Sequence, residues 1–200
     1  ADNVTDIVEL IGNSRRPAMI APILYNPIKK NWAINSLDDI NNAKENGFEI
    51  WGQVSCRPLT MEFTMEEPYM LEGLESWKPI MIEKNLEKKI NLFKDKKFRL
   101  TLLNEINDTS KNKLFVGNWD KIILIETMNN AIKKYVGLTL ADIAKQTGTL
   151  PLDWILDNTI EGGINDLFKA ELLNADINQV KKLLLHQNST VALSDAGAHF

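Results

Sequence analysis

The chain has 200 residues, 44% of them hydrophobic and 25% charged, a balance that suits a globular protein with a sizeable core and excludes a disordered or fibrous chain. Its net charge of −4 argues against a nucleic-acid-binding face, and the lysines at 94, 96 and 97 stand among acidic neighbours that dilute them into an expected solvated loop. The single cysteine, Cys56, excludes an internal disulfide and fits a reducing, cytoplasmic setting, while no apolar run is long enough to span a bilayer and no signal peptide is visible.

Val4, Ile7, Val8 and Ile11 open the chain at helical spacing, and Gly12 and Asn13 can end that helix. An apolar run of strand length follows over residues 18–24. Ser36 and Asp39 read as a weak capping box for a second helix with Leu37, Ile40 and Ala43 as its buried stripe. Residues 48–54 read as a strand. Residues 55–79 show little periodicity, and a segment of this length is either a functional lid or a packed surface excursion. Helical spacing returns at Leu86, Ile90 and Phe93, and again at Leu100, Leu103 and Ile106. Residues 121–125 form a strand that ends before Glu126. Thr139 and Asp142 cap the next helix and Gly148 ends it. Pro151 suits the first turn of a helix carrying Leu152, Ile155 and Leu156. Residues 167–173 fit a strand or a helix equally. Asn174 or Asp176 caps a helix bearing Ile177, Val180, Leu183 and Leu184, and residues 190–193 form the last strand.

Short, nearly continuous apolar strands alternating with amphipathic helices belong to parallel sheets buried on both faces. Part of a (β/α)8 barrel and an open doubly wound sheet both fit. No glycine-rich phosphate loop follows any strand, so nucleotide binding has no support and the barrel is favoured.

In a parallel barrel the active residues sit where strands end. Of 27 carboxylates, that rule selects Asp195, directly after the last strand, and Glu126. It also selects Tyr25 and Asn26 after the first strand, and Gln53, Ser55 and Cys56 at the end of the second. Ser194-Asp195-Ala196-Gly197-Ala198-His199 is the sharpest pattern. Its small residues let backbone approach a ligand. Asp195 there can ligate a metal and accept a proton from metal-bound water, or it can simply cap a turn. His199 can hydrogen-bond a substrate or support the carboxylate. The Arg57 guanidinium can clasp a substrate carboxylate bidentately or form a structural salt bridge. His186, at the end of an amphipathic helix, reads as structural. Cys56 reads as a small buried hydrophobe more readily than as a nucleophile.

Four stretches carry a resemblance: QVSCRPLTMEF from Gln53, EGLESWKPIM from Glu72, LTLADIAKQTGTLPLDWILD from Leu138 and LLLHQNSTVALSDAGAHF from Leu183. In order and spacing the chain resembles the N-acyl-D-amino-acid deacylase (D-aminoacylase-like) branch of the metal-dependent amidohydrolase superfamily. The resemblance runs from about Val4 to the end. It implies a distorted (β/α)8 barrel with a small β-sandwich, and one or two divalent metals, usually zinc, activating a water that attacks an amide carbon. It makes Asp195 the acid/base and a metal-touching carboxylate; Arg57 and His199 stand beside it as the substrate contacts that their places after strands suggest. The substrate class is a linear N-acyl amino acid, with no nucleic-acid or membrane partner.

The sequence departs from that pattern in its histidines. No His-x-His pair is present, the strands ending near Tyr25 and Gln53 carry no histidine, and the chain has only His186 and His199. A catalytic zinc needs about three protein ligands. Most metal ligands are therefore expected outside this chain. The start at Ala1 and the end five residues after Asp195 fit the same expectation: residues 1–200 as the C-terminal part of a barrel, cut before it closes into the β-sandwich and inactive alone. Two other readings stay open, a metal-free hydrolase using Glu126 and Asp195 as a carboxylate pair, and a barrel fragment without catalysis.

Overall fold

The structure is a computed structural model and describes residues 4–110 and 113–191. Among them the chain is mixed α/β. In chain order the elements are α1 (Val4–Ile11), β1 (Ala18–Ile23), α2 (Trp32–Glu45), β2 (Ile50–Val54), β3 (Leu59–Phe63), α3 (Tyr69–Glu72), α4 (Lys78–Ile82), α5 (Leu86–Lys94), α6 (Lys96–Asn107), β4 (Ile122–Glu126), α7 (Leu140–Thr147), α8 (Pro151–Ile160), β5 (Leu167–Leu173), α9 (Ile177–Leu184) and β6 (Ser189–Val191). They fall into two compact units, residues 1–59 with 173–200, and residues 60–172. None of the described helices is long and apolar enough to cross a membrane.

The first unit is built on a parallel sheet in the order β1-β2-β6. Strand β2 alternates, with Ile50, Gly52 and Val54 buried and Trp51 and Gln53 partly exposed. The buried set faces the helices: Ile23, Ile50 and Val54 share one core with Val4 of α1, Ala33, Leu37, Ile40 and Ala43 of α2, and Leu183 of α9. On the opposite face Met19 is 55% exposed, Gln53 is half-buried, and the Lys44 ammonium lies over the Trp51 ring at 3.3 Å. Helix α2 begins a turn earlier than the capping-box reading expects. Its apolar stripe starts at Ala33, and Ser36 lies inside the helix with its hydroxyl donating to the Trp32 carbonyl at 2.8 Å. A serine satisfied by the preceding turn is no cap. Asp176 caps α9 as expected, accepting from the backbone N–H of Asn178 and Gln179.

The second unit has its own sheet, in the order β3-β5-β4, and its own core. Here the expectation of parallel strands fails. Strands β4 and β5 pair antiparallel, with Ile122 opposite Ala170 and Leu124 opposite Phe168. The strand β5 sequence alternates buried and half-buried residues, which is the mark of a sheet covered on one face. Residues 55–79 are not a lid. They supply β3 and α3 and place Phe63, Met65, Met70, Leu71, Leu74 and Trp77 in the core, with Phe63 stacked on Phe168 at 5.5 Å. Their apolar residues are spread over short elements, so no single period shows.

The expected lysine loop is likewise helical. Lys94 closes α5, Lys96 and Lys97 open α6, and Asp95 separates them by accepting the Lys97 N–H at 2.7 Å. Arg99 then ties three helices together. Its Nε donates to the Phe93 carbonyl at 2.6 Å, and its two terminal nitrogens donate to Asp153 and Asp157 of α8 at 2.9 and 2.5 Å. Thr139 caps α7 in a reciprocal arrangement with Asp142, and Gly148 ends it in the left-handed conformation.

Gly52 sets how closely α2 approaches the parallel sheet. A Cβ at that position would lie 2.5 Å from Ile23 Cδ1 and 2.6 Å from Leu37 Cδ2, both in fully buried side chains. Gly52→Val should therefore overpack the core and lower the unfolding free energy by about 1–3 kcal/mol. Urea denaturation followed by circular dichroism measures it, and an unchanged midpoint would show that α2 has room at this contact.

Candidate functional site

Strands β1 and β2 of the first unit end level with one another, and β6 runs beside β2 as far as it is described. Ile23 is paired with Val54, and Val54 with Val191. Their carboxyl ends thus form one edge, the place where ligand-binding loops gather in parallel α/β folds. Of the residues that sequence reading placed there, Tyr25 and Asn26 follow β1, and Ser55, Cys56 and Arg57 follow β2. Asp195 and His199 lie outside the described residues.

Asn174 joins the two loops at this edge. It is 2% exposed and adopts a left-handed conformation at φ 59°, which asparagine tolerates better than most residues. Its backbone N–H donates to the Tyr25 carbonyl at 2.8 Å, and its Oδ1 accepts the Tyr25 N–H at 3.2 Å. Its Nδ2 donates to the carbonyls of Ser55 at 2.8 Å and Arg57 at 2.9 Å. The Ser55 hydroxyl tightens the same turn, accepting the Arg57 N–H at 3.2 Å. Sequence reading offered Asn174 only as a helix cap. Asp176 takes that role, and the available signal was an asparagine directly after a strand, a residue type at home in αL turns.

The remaining candidates separate by what holds them. Asn26 is used locally, its Oδ1 accepting the N–H of Ile28 at 2.8 Å. Gln53 donates to the Met19 sulfur at 3.1 Å. Cys56 is exposed, not the buried hydrophobe expected, because the turn after Ser55 carries it out of the core. Arg57 is also exposed. Its backbone is fixed from both sides, yet its guanidinium makes no hydrogen bond or ion pair among the described residues. His186 is structural, as expected. Its Nε2 lies 3.1 Å from Asp38 Oδ1 and its Nδ1 accepts the Asn188 N–H at 3.2 Å, before β6 begins and so away from the carboxyl edge. Glu126 ends β4 in the antiparallel sheet, so it does not stand at the end of a parallel strand.

Among the described residues no three His, Cys, Asp or Glu side chains come together as a bound metal requires. The described part of the chain alone does not make up a metal site.

Burial raises the pKa of the Tyr25 phenol above its ordinary value, and the negative charge of Asp176 adds to the effect. The folded chain binds the phenol proton more tightly than the unfolded one. Its contribution to stability is complete below the ordinary tyrosine pKa and disappears as pH climbs through the raised value. Absorbance titration of the chain against a Tyr25→Phe control should give a midpoint above the ordinary one. Asp176→Asn, which keeps a cap for α9, should bring it only part of the way back, since burial is the larger cause. An ordinary midpoint in the unsubstituted chain would show that the ring is solvated.

No protein-family model, curated protein or solved structure matches this chain.

Proposed function

We propose that this chain is part of a (β/α)8 amidohydrolase barrel that hydrolyses linear amides, with N-acyl-D-amino acids as its substrates. The observation that carries the reading is the shared carboxyl edge of the parallel strands β1 and β2, with β6 alongside, and a guanidinium on a fixed loop beside it that has no partner among the described residues. The last of these strands leads in sequence to Ser194-Asp195-Ala196-Gly197-Ala198-His199. The parallel sheet supports the barrel. A parallel sheet is normally covered on both sides, and among the described residues the helices α1, α2 and α9 pack on one face while Met19 on the other is exposed, an arrangement that suits a barrel whose inner face is completed by further strands.

In this reading Arg57 holds the carboxylate of the amino-acid half of the substrate through paired charge-assisted hydrogen bonds. Asp195 is the acid/base: its carboxylate accepts a proton from the water that attacks the amide carbon. It returns that proton to the nitrogen as the C–N bond breaks, releasing a carboxylic acid and an amine. His199 hydrogen-bonds the substrate. The divalent metal that the family resemblance implies, zinc in most of its members, would be held by Asp195 with residues beyond those described. The reaction and its setting, a cytoplasmic enzyme acting on small molecules, form one proposal.

Asp195→Asn in the whole protein tests it, with N-acetyl-D-leucine as the probe. Turnover should fall by about 100-fold or more, while the thermal midpoint stays within a few degrees of the unsubstituted protein. Turnover retained in the variant would remove Asp195 from the chemistry, and an unsubstituted protein that does not cleave the probe would reject the hydrolase reading.

A further inference from the structure

We propose that Asn174 is the positioning residue of this edge, fixing the Arg57 loop so that the guanidinium is presented to the carboxylate of the substrate. This rests on the hydrolase reading above and names the residue through which its substrate contact is set.

Every polar atom of the Asn174 side chain is spent on the two loops that follow β1 and β2. Nδ2 bridges two carbonyls two residues apart, those of Ser55 and Arg57, and Oδ1 reaches across to the Tyr25 N–H. A buried amide that satisfies three backbone groups at once defines their relative geometry, because leaving any of them unpaired in a buried site is costly. The left-handed backbone at this position is a second cost, tolerated where the surroundings over-determine it. Neither cost has a helix-capping explanation, since Asp176 caps α9. What the clasp holds is specific. It fixes the Arg57 backbone, while the guanidinium has no partner among the described residues. Such an arrangement suits a residue that must meet an anion at a set place without rotor freedom in its loop.

Two substitutions separate positioning from general structure. Asn174→Gly keeps the left-handed backbone without strain and removes all three side-chain hydrogen bonds. Asn174→Asp keeps an acceptor for Tyr25 and loses both donors to Ser55 and Arg57. Each is assayed in the whole protein on N-acetyl-D-leucine and on N-acetyl-D-leucinamide, which lacks the carboxylate, with near-ultraviolet circular dichroism as the check on folding. The expected result for both variants is a KM for the acid raised roughly tenfold with kcat less affected, and an almost unchanged kcat/KM for the amide. Arg57→Ala combined with Asn174→Gly should be no worse on the acid than Arg57→Ala alone, because the two act through one contact. Equal losses on acid and amide, or losses that multiply in the double variant, overturn the positioning role while the hydrolase reading stands. An unsubstituted protein that cleaves neither compound overturns both.

Discussion

The close seating of α2 on β2, permitted by the missing side chain at Gly52, is the constraint on which the first unit depends. With the sheet and helix in contact, Ile23, Leu37 and Ile40 fill the space that a Cβ would take. That packing pins one face of the sheet and so fixes which side chains of β2 point inward. The pairing of β1 with β2 carries one irregularity between Ile20 and Ile23, which brings Ile23 into the same core and opposite Val54.

The loops that follow β1 and β2 meet at this carboxyl edge. Parallel strands need connections that leave and return, and the segments after their carboxyl ends must be tied down if they are to bind anything. Asn174 performs that task with backbone partners alone. At the same edge burial raises the pKa of the Tyr25 phenol, with the charge of Asp176 adding to it.

Much of this fold was legible in the sequence. Strands β1, β2 and β4, helix α1, the Thr139 and Asp176 caps and the Gly148 stop all follow from local periodicity and cap chemistry. What the sequence did not disclose was long-range. Nothing local distinguishes a parallel from an antiparallel partner for β4, and the alternation in β5 fits either a strand or a helix until its neighbour is known. The early start of α2 was hidden because Ser36 looks like a cap and is a back-bonded interior residue. Residues 55–79 looked aperiodic because their large apolar residues are divided among short pieces that meet only in a core. Arg57 follows β2, where its place after a strand in the sequence put it. Asn174 was missed because its importance lies in partners about 120 and 150 residues earlier in the chain, a relation that no spacing rule contains.

The second unit is one uninterrupted stretch of chain set within the first, and the strands at its two ends, β3 and β5, are hydrogen-bonded neighbours. The chain thus goes out and comes back through adjoining strands. An excursion with that geometry can lengthen, shorten or be exchanged for another without rethreading the host sheet. Recombination could therefore trade this module between proteins as a cassette while the parallel strands and their helices keep their places.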